Sequence, residues 1–68
     1  MKFAHLDKSP RLQRVRAFLA DHKEHTTRDI VYGAQVMAVS ACVSELRSNG
    51  LTIHSRRKEN IWYYRLEA

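Results

Sequence analysis

The sequence predicts a mainly α domain with a C-terminal β-hairpin, an α+β fold of three helices followed by two strands. Apolar residues recur at helical spacing in three successive segments before Gly50, and from Leu51 onward the period changes to two. The chain has 68 residues, enough for one domain around one small core. With one proline, two glycines and no biased tract, no linker, repeat or second domain is expected.

Residues 1–8 show no clear periodicity and read as a flexible amino-terminal arm, which Phe3 and Leu6 can pin to a domain spanning 9–68. Ser9-Pro10 is a helix start, with Ser as N-cap and Pro at the first helical position, where its missing N–H costs nothing. Leu12, Val15, Phe18 and Leu19 follow as one apolar face, and this helix should end near Ala20 or Asp21. Arg11, Arg14 and Arg16 fall mostly off that face, where they either meet phosphates or serve solubility.

His22 to His25 form a polar connection, with a short extended piece expected at Glu24-His25. Thr26 stands three residues before Asp29, as in a capping box, and opens the second helix. Ile30, Val31 and Ala34 can face the core. Thr27 and Arg28 lie in the first turn, where free N–H groups favour a phosphate oxygen; the alternative for Arg28 is an ion pair with a nearby acid. A tight turn is expected at Gly33-Ala34-Gln35, leading through Met37 into a third helix over 38–48.

Two helices joined by a short glycine-containing turn form a helix-turn-helix unit, whose second helix can enter the DNA major groove. In that third helix Val39, Val43 and Leu46 make a core stripe that Cys42 widens. The opposite face carries Ser40, Ala41, Ser44, Arg47 and Ser48, all small or basic, so the backbone can approach a groove floor closely. Serine donates to or accepts from any base edge, so this face discriminates weakly apart from Arg47. The same face also reads as plain solvent surface; the turn before it and the basic hairpin after it favour the groove.

Asn49-Gly50 should end the helix, Gly50 taking the left-handed position and Leu51 the hydrophobic contact beyond it. Leu51 and Ile53 alternate with Thr52 and His54, and Trp62, Tyr64 and Leu66 with Ile61, Tyr63 and Arg65, as in two strands. The intervening Arg56-Arg57-Lys58-Glu59-Asn60 is expected to form the tip, with Asn60 at positive φ. The expected core sets Val43 and Leu46 against Val15, Phe18 and Leu19, closed by Trp62 or Tyr64.

Twelve Lys and Arg against seven Asp and Glu give a formal charge of +5 and a pI near 9.9, a field that favours a polyanion. The three consecutive cations Arg56, Arg57 and Lys58 repel one another unless phosphates accept them, although charge also protects a strand edge. A single cysteine excludes an intramolecular disulfide and an all-cysteine zinc site, and points to a reducing cytoplasm. No apolar run reaches the ~20 residues of a membrane span, and MKFAHLDKS lacks the apolar core of a signal peptide.

The runs SPRLQRV, AQVMAVSACVSELRSNG and WYYRL resemble the small winged helix-turn-helix proteins encoded by bacteriophages and prophages, over nearly the whole chain after residue 8. The resemblance implies a phage-type transcriptional regulator that binds double-stranded DNA in the bacterial host cytoplasm, at the nucleoid. By position it puts Ser40, Ala41 and Ser44 on the recognition helix and Arg56 to Lys58 in the wing. KEN at the hairpin tip replaces the glycine common in such wings, and the recognition face is poor in Asn, Gln and Arg.

The full set expected at DNA is Thr27, Arg28, Gln35, Met37, Ser40, Ala41, Ser44, Arg47, Ser48, Arg56, Arg57 and Lys58. Catalysis is not expected, because neither a phosphate-cradling glycine loop nor a nucleophile motif is present. No cofactor or metal is expected either: His22, His25 and His54 sit in turns and strands, and Cys42 faces the core. Two other readings remain. One is an excisionase-like architectural factor, bound head to tail where a regulator would bind as a homodimer. The other is a protein-interaction module using the wing's apolar pair, Ile61 and Tyr63.

Overall fold

The computed structural model describes residues 5–68, so the role expected of Phe3 lies outside the described residues. The chain forms an α+β domain of three helices and a three-stranded antiparallel sheet. In order these are α1 (Pro10–Phe18), β1 (His25–Thr26), α2 (Thr27–Ala34), α3 (Val39–Ser48), β2 (Ile53–Lys58) and β3 (Ile61–Leu66).

Before α1, Leu6–Lys8 form one 3-10 turn. Leu6 packs against the core and its N–H donates to Asn49 Oδ1 at 3.0 Å, so the described end of the expected arm is tied to the close of α3. Ser9 Oγ accepts from the Leu12 N–H, capping α1 as expected. A 3-10 turn at Leu19–Asp21 continues the helix to its expected end, and His22 closes it in the left-handed region with φ 60°.

The capping box of α2 is complete: Thr26 Oγ1 accepts from the Asp29 N–H, and Asp29 Oδ2 accepts from the Thr26 N–H, both at 3.1 Å. The bond from the Thr26 N–H, followed by that from the Thr26 hydroxyl, holds the Asp29 carboxyl below its ordinary range. The contribution of this cap is therefore full above the ordinary carboxyl range and fades as pH falls through the lowered value.

The inter-helix turn differs from the expected one. Gly33 and Ala34 remain helical, and the break comes at Gln35, left-handed with φ 56°. Val36 N–H then bonds back to Val31 O at 3.3 Å, and buried Val36 supplies the hydrophobic contact of a Schellman close. Arg14 of α1 reaches across to donate to the carbonyls of Ala34 and Gln35. Gly33 serves a different need, since a Cβ there would fall inside the ring of Phe18. It is a point of close approach between α1 and α2 and not a turn residue. At the end of α3 the expected close does form: Gly50 has φ 94°, and Leu51 N–H bonds to Leu46 O at 3.2 Å.

β3 is the middle strand, flanked by β2 and by the two-residue β1, whose register sets His25 beside Tyr64 and Thr26 beside Tyr63. Sequence reasoning expected only the hairpin, with an extended piece at Glu24-His25, because two residues carry no readable periodicity. The core gathers Leu12, Val15 and Leu19 of α1, Ile30 and Ala34 of α2, Val39, Cys42, Val43 and Leu46 of α3, and Ile53, Tyr64 and Leu66 of the sheet. Phe18 packs at its margin, and Tyr64 closes it, whereas Trp62 stays 45% exposed.

In an exposed helix interior Gly→Ala ordinarily stabilises by up to about 1 kcal/mol. Here the ring of Phe18, itself tilted against the His25 ring with centroids 4.6 Å apart, reverses the sign. Gly33→Ala should destabilise by about 1–3 kcal/mol in urea unfolding, and the loss should shrink in a Phe18→Ala background. A more stable Gly33→Ala variant would refute the close approach.

Candidate nucleic-acid interface

Because Val39, Cys42, Val43 and Leu46 turn α3 toward the core, its opposite face is exposed at Ser40, Ala41, Ser44, Arg47 and Ser48, as the helical period requires. The acid of this helix, Glu45, leans toward α1, where Arg11 donates to its Oε2 at 2.8 Å. That bond, with a second from Arg11 to Cys42 Sγ at 3.1 Å, holds the Arg11 guanidinium above its ordinary range. With Arg14 occupied at the end of α2, two of the three α1 arginines are structural.

The first turn of α3 and the hairpin enclose a groove of about 570 Å³ lined by Thr27, Met37, Ala38, Val39, Ser40, Val43, Arg47, Ser55, Trp62 and Tyr64. Among the described residues no carboxylate lines it. Thr27, Met37, Ser40 and Arg47 of the expected set therefore meet at one place. Gln35 and Ala41 line a neighbouring depression with Arg11, Arg14 and Cys42, and the 92% exposed Met37 stands between the two. Arg28, exposed, sits 5.7 Å from the Tyr32 ring and, among the described residues, makes no ion pair with a carboxylate.

Arg47 is bonded within the molecule: its Nε and Nη2 donate to Ile53 O at 3.1 and 2.6 Å, and Nη2 also to Ser55 Oγ at 3.2 Å. It clamps α3 to β2, holding the groove's two walls at a set distance. One expectation is corrected, that of the hairpin tip. Arg56, Arg57 and Lys58 belong to β2 and not to the tip, because Lys58 pairs with Ile61 across a two-residue turn, Glu59-Asn60. Both turn residues have positive φ, 53° and 67°, as a type I′ turn requires. Asn60 was expected there; Glu59, an unlikely residue for that backbone, was not.

Strand alternation separates the three cations. Arg56 stands on the face away from α3, where it donates to both oxygens of Glu24 at 2.5 and 2.8 Å and lies 4.7 Å over the Tyr63 ring. The same pairing raises the Arg56 pKa and lowers that of Glu24, so this cation is already matched. Arg57 lies on the groove side, opposite Trp62, and donates to Asn60 Oδ1. Lys58 is exposed and, among the described residues, has no carboxylate partner.

Trp62 is the residue that sequence reasoning missed. Its period with Tyr64 and Leu66 put it on the core face, which is correct, but the hairpin outruns the body and leaves it uncovered. Among the described residues no three His, Cys, Asp or Glu side chains come together as metal ligands. His22 bonds to Leu66 O, His25 to Asp21 and His54 to Glu67, each at 2.9–3.0 Å.

Arg47→Ala should lower stability by about 0.5–1.5 kcal/mol for each bond lost and speed amide exchange in β2, while α1 is unaffected. Arg47→Lys should not restore it, because one ammonium cannot reproduce the fork. Parental stability and exchange in Arg47→Ala would show that the clamp is idle.

No family model matches the chain, and no significantly similar curated protein or solved structure was found, so the functional reading rests on geometry.

Proposed function

We propose that this chain is a winged helix-turn-helix protein that binds double-stranded DNA, a small transcriptional regulator of the phage type. In this reading α3 enters the major groove and the β2–β3 hairpin is the wing. The element order and the sheet order β1-β3-β2 are compatible with that fold.

The observation that carries the proposal is the exposed α3 face of Ser40, Ala41, Ser44 and Ser48, free of bulk and of carboxylates, beside a groove whose other wall is the cationic hairpin. A helix must come close to base edges to read them, and small side chains permit it. Arg28 and, on the hairpin, Arg57 and Lys58 lack carboxylate partners among the described residues, so phosphates can meet them without first breaking an ion pair.

Binding to duplex DNA, followed by fluorescence anisotropy across a salt series, tests this. Affinity should fall steeply with salt, and Ser44→Glu should abolish binding while leaving the fold intact, since Ser44 is exposed. Arg57→Ala with Lys58→Ala should flatten the slope of log affinity against log salt by up to about 0.9 per lost contact. Arg56→Ala should leave that slope unchanged, because Glu24 already holds its charge. A folded parent with no salt-dependent affinity for duplex DNA would sink the proposal and leave the protein-interaction reading.

A further inference from the structure

We propose that Trp62 is a DNA-contacting residue, its indole packed against a deoxyribose of the strand that runs through the groove between α3 and the hairpin. This inference rests on the DNA-binding reading and adds the occupant of the groove to it.

The groove has a mixed chemistry that a phosphodiester strand fits. Its apolar parts are Trp62 and Met37, 45% and 92% exposed, and its polar parts include the hydroxyls of Thr27, Ser40 and Ser55. An indole left so exposed normally marks a contact surface, because its burial contributes more than that of most side chains. A protein partner with an apolar side chain would suit Trp62 and Met37 but would leave the hydroxyls of Thr27 and Ser40 facing nothing, beside a Ser55 hydroxyl already bonded to Arg47. A nucleic acid strand offers both surfaces at once: a sugar with an apolar face, and phosphate oxygens that accept from hydroxyls.

Charge points the same way. The groove lining holds one guanidinium and no carboxylate, and Arg57 stands across the strand pair from Trp62 on the same face of the sheet. Arg47, bonded to Ile53 O and Ser55 Oγ, holds the walls apart before any ligand arrives. The groove is thus preformed, which lowers the ordering cost of filling it. Since Trp62 makes no hydrogen bond to a base edge in this arrangement, it contributes affinity without dependence on sequence.

Trp62 is the sole tryptophan, so its emission reports on this contact alone. Titrating the full chain with duplex DNA should change that emission, and acrylamide quenching of Trp62 should fall in the complex. Trp62→Ala should lose about tenfold or more in affinity, for specific and random duplexes alike, with the salt slope of the parent, since no charge is removed. Trp62→Phe should recover part of the loss. A parent that binds DNA with unchanged emission and quenching, or a folded Trp62→Ala that binds like the parent, overturns the role of Trp62 while DNA binding stands. A parent that does not bind duplex DNA at all overturns the underlying reading, and this one with it. The quenching measurement needs no variant, so it decides the matter even if Trp62→Ala fails to fold.

Discussion

The packing of one stripe of α3 into the body is the constraint on which the rest of this structure depends. Val39, Cys42, Val43 and Leu46 are buried together, and each other element is placed by what it presents to them. α1 supplies Leu12, Val15 and Leu19, α2 supplies Ile30 and Ala34, and the sheet supplies Ile53, Tyr64 and Leu66. A helix whose one face is wholly buried must expose the opposite one. The seating of Leu46 and the presentation of Ser44 are therefore one event. A change to the buried stripe therefore moves the candidate interface, whereas a change at exposed Ser44 leaves the stripe in place.

Around that stripe, a few polar links set the positions that hydrophobic packing leaves loose. Apolar contact is non-directional, so it brings a hairpin onto a helix without fixing its angle. Arg47 supplies direction by gripping the first residue of β2, and Arg14 does the same for the end of α2. Arg56 and Glu24 join the hairpin's outer face to the segment before β1. Such exposed pairs add little to stability, yet they decide which cations remain available. Of the twelve basic residues, Arg11, Arg14, Arg47 and Arg56 are committed inside the molecule. Arg11 and Arg56 are offset by Glu45 and Glu24, whereas Arg28, Arg57 and Lys58 meet no carboxylate among the described residues and stay open to a polyanion.

The hairpin shows why charge in a sequence is not charge at a site. Arg56-Arg57-Lys58 reads as one basic cluster, but the pleat sends alternate side chains to opposite faces. Arg56 is then neutralised by a partner 32 positions away, and the tip itself carries Glu59. A contiguous run becomes two separate surfaces of different availability.

By itself the sequence determined the elements governed by local rules. The Ser9-Pro10 start, the Thr26–Asp29 capping box, the Gly50 close, the stripe of α3 and the period-two strands all depend on residues within a few positions of one another. The exposed face at Ser40, Ala41 and Ser44 followed from that stripe. Only the tertiary structure decided what depends on distant partners. Gly33 is a helix-packing residue because Phe18 lies against it, β1 is a strand because β3 pairs with it, and Arg47 is a clamp because Ile53 O lies within reach. Trp62 shares the buried face of Tyr64 by period, yet it is exposed because the body ends before the hairpin does. Period assigns a side chain to a face; whether that face is covered depends on the reach of other elements, which no local pattern records.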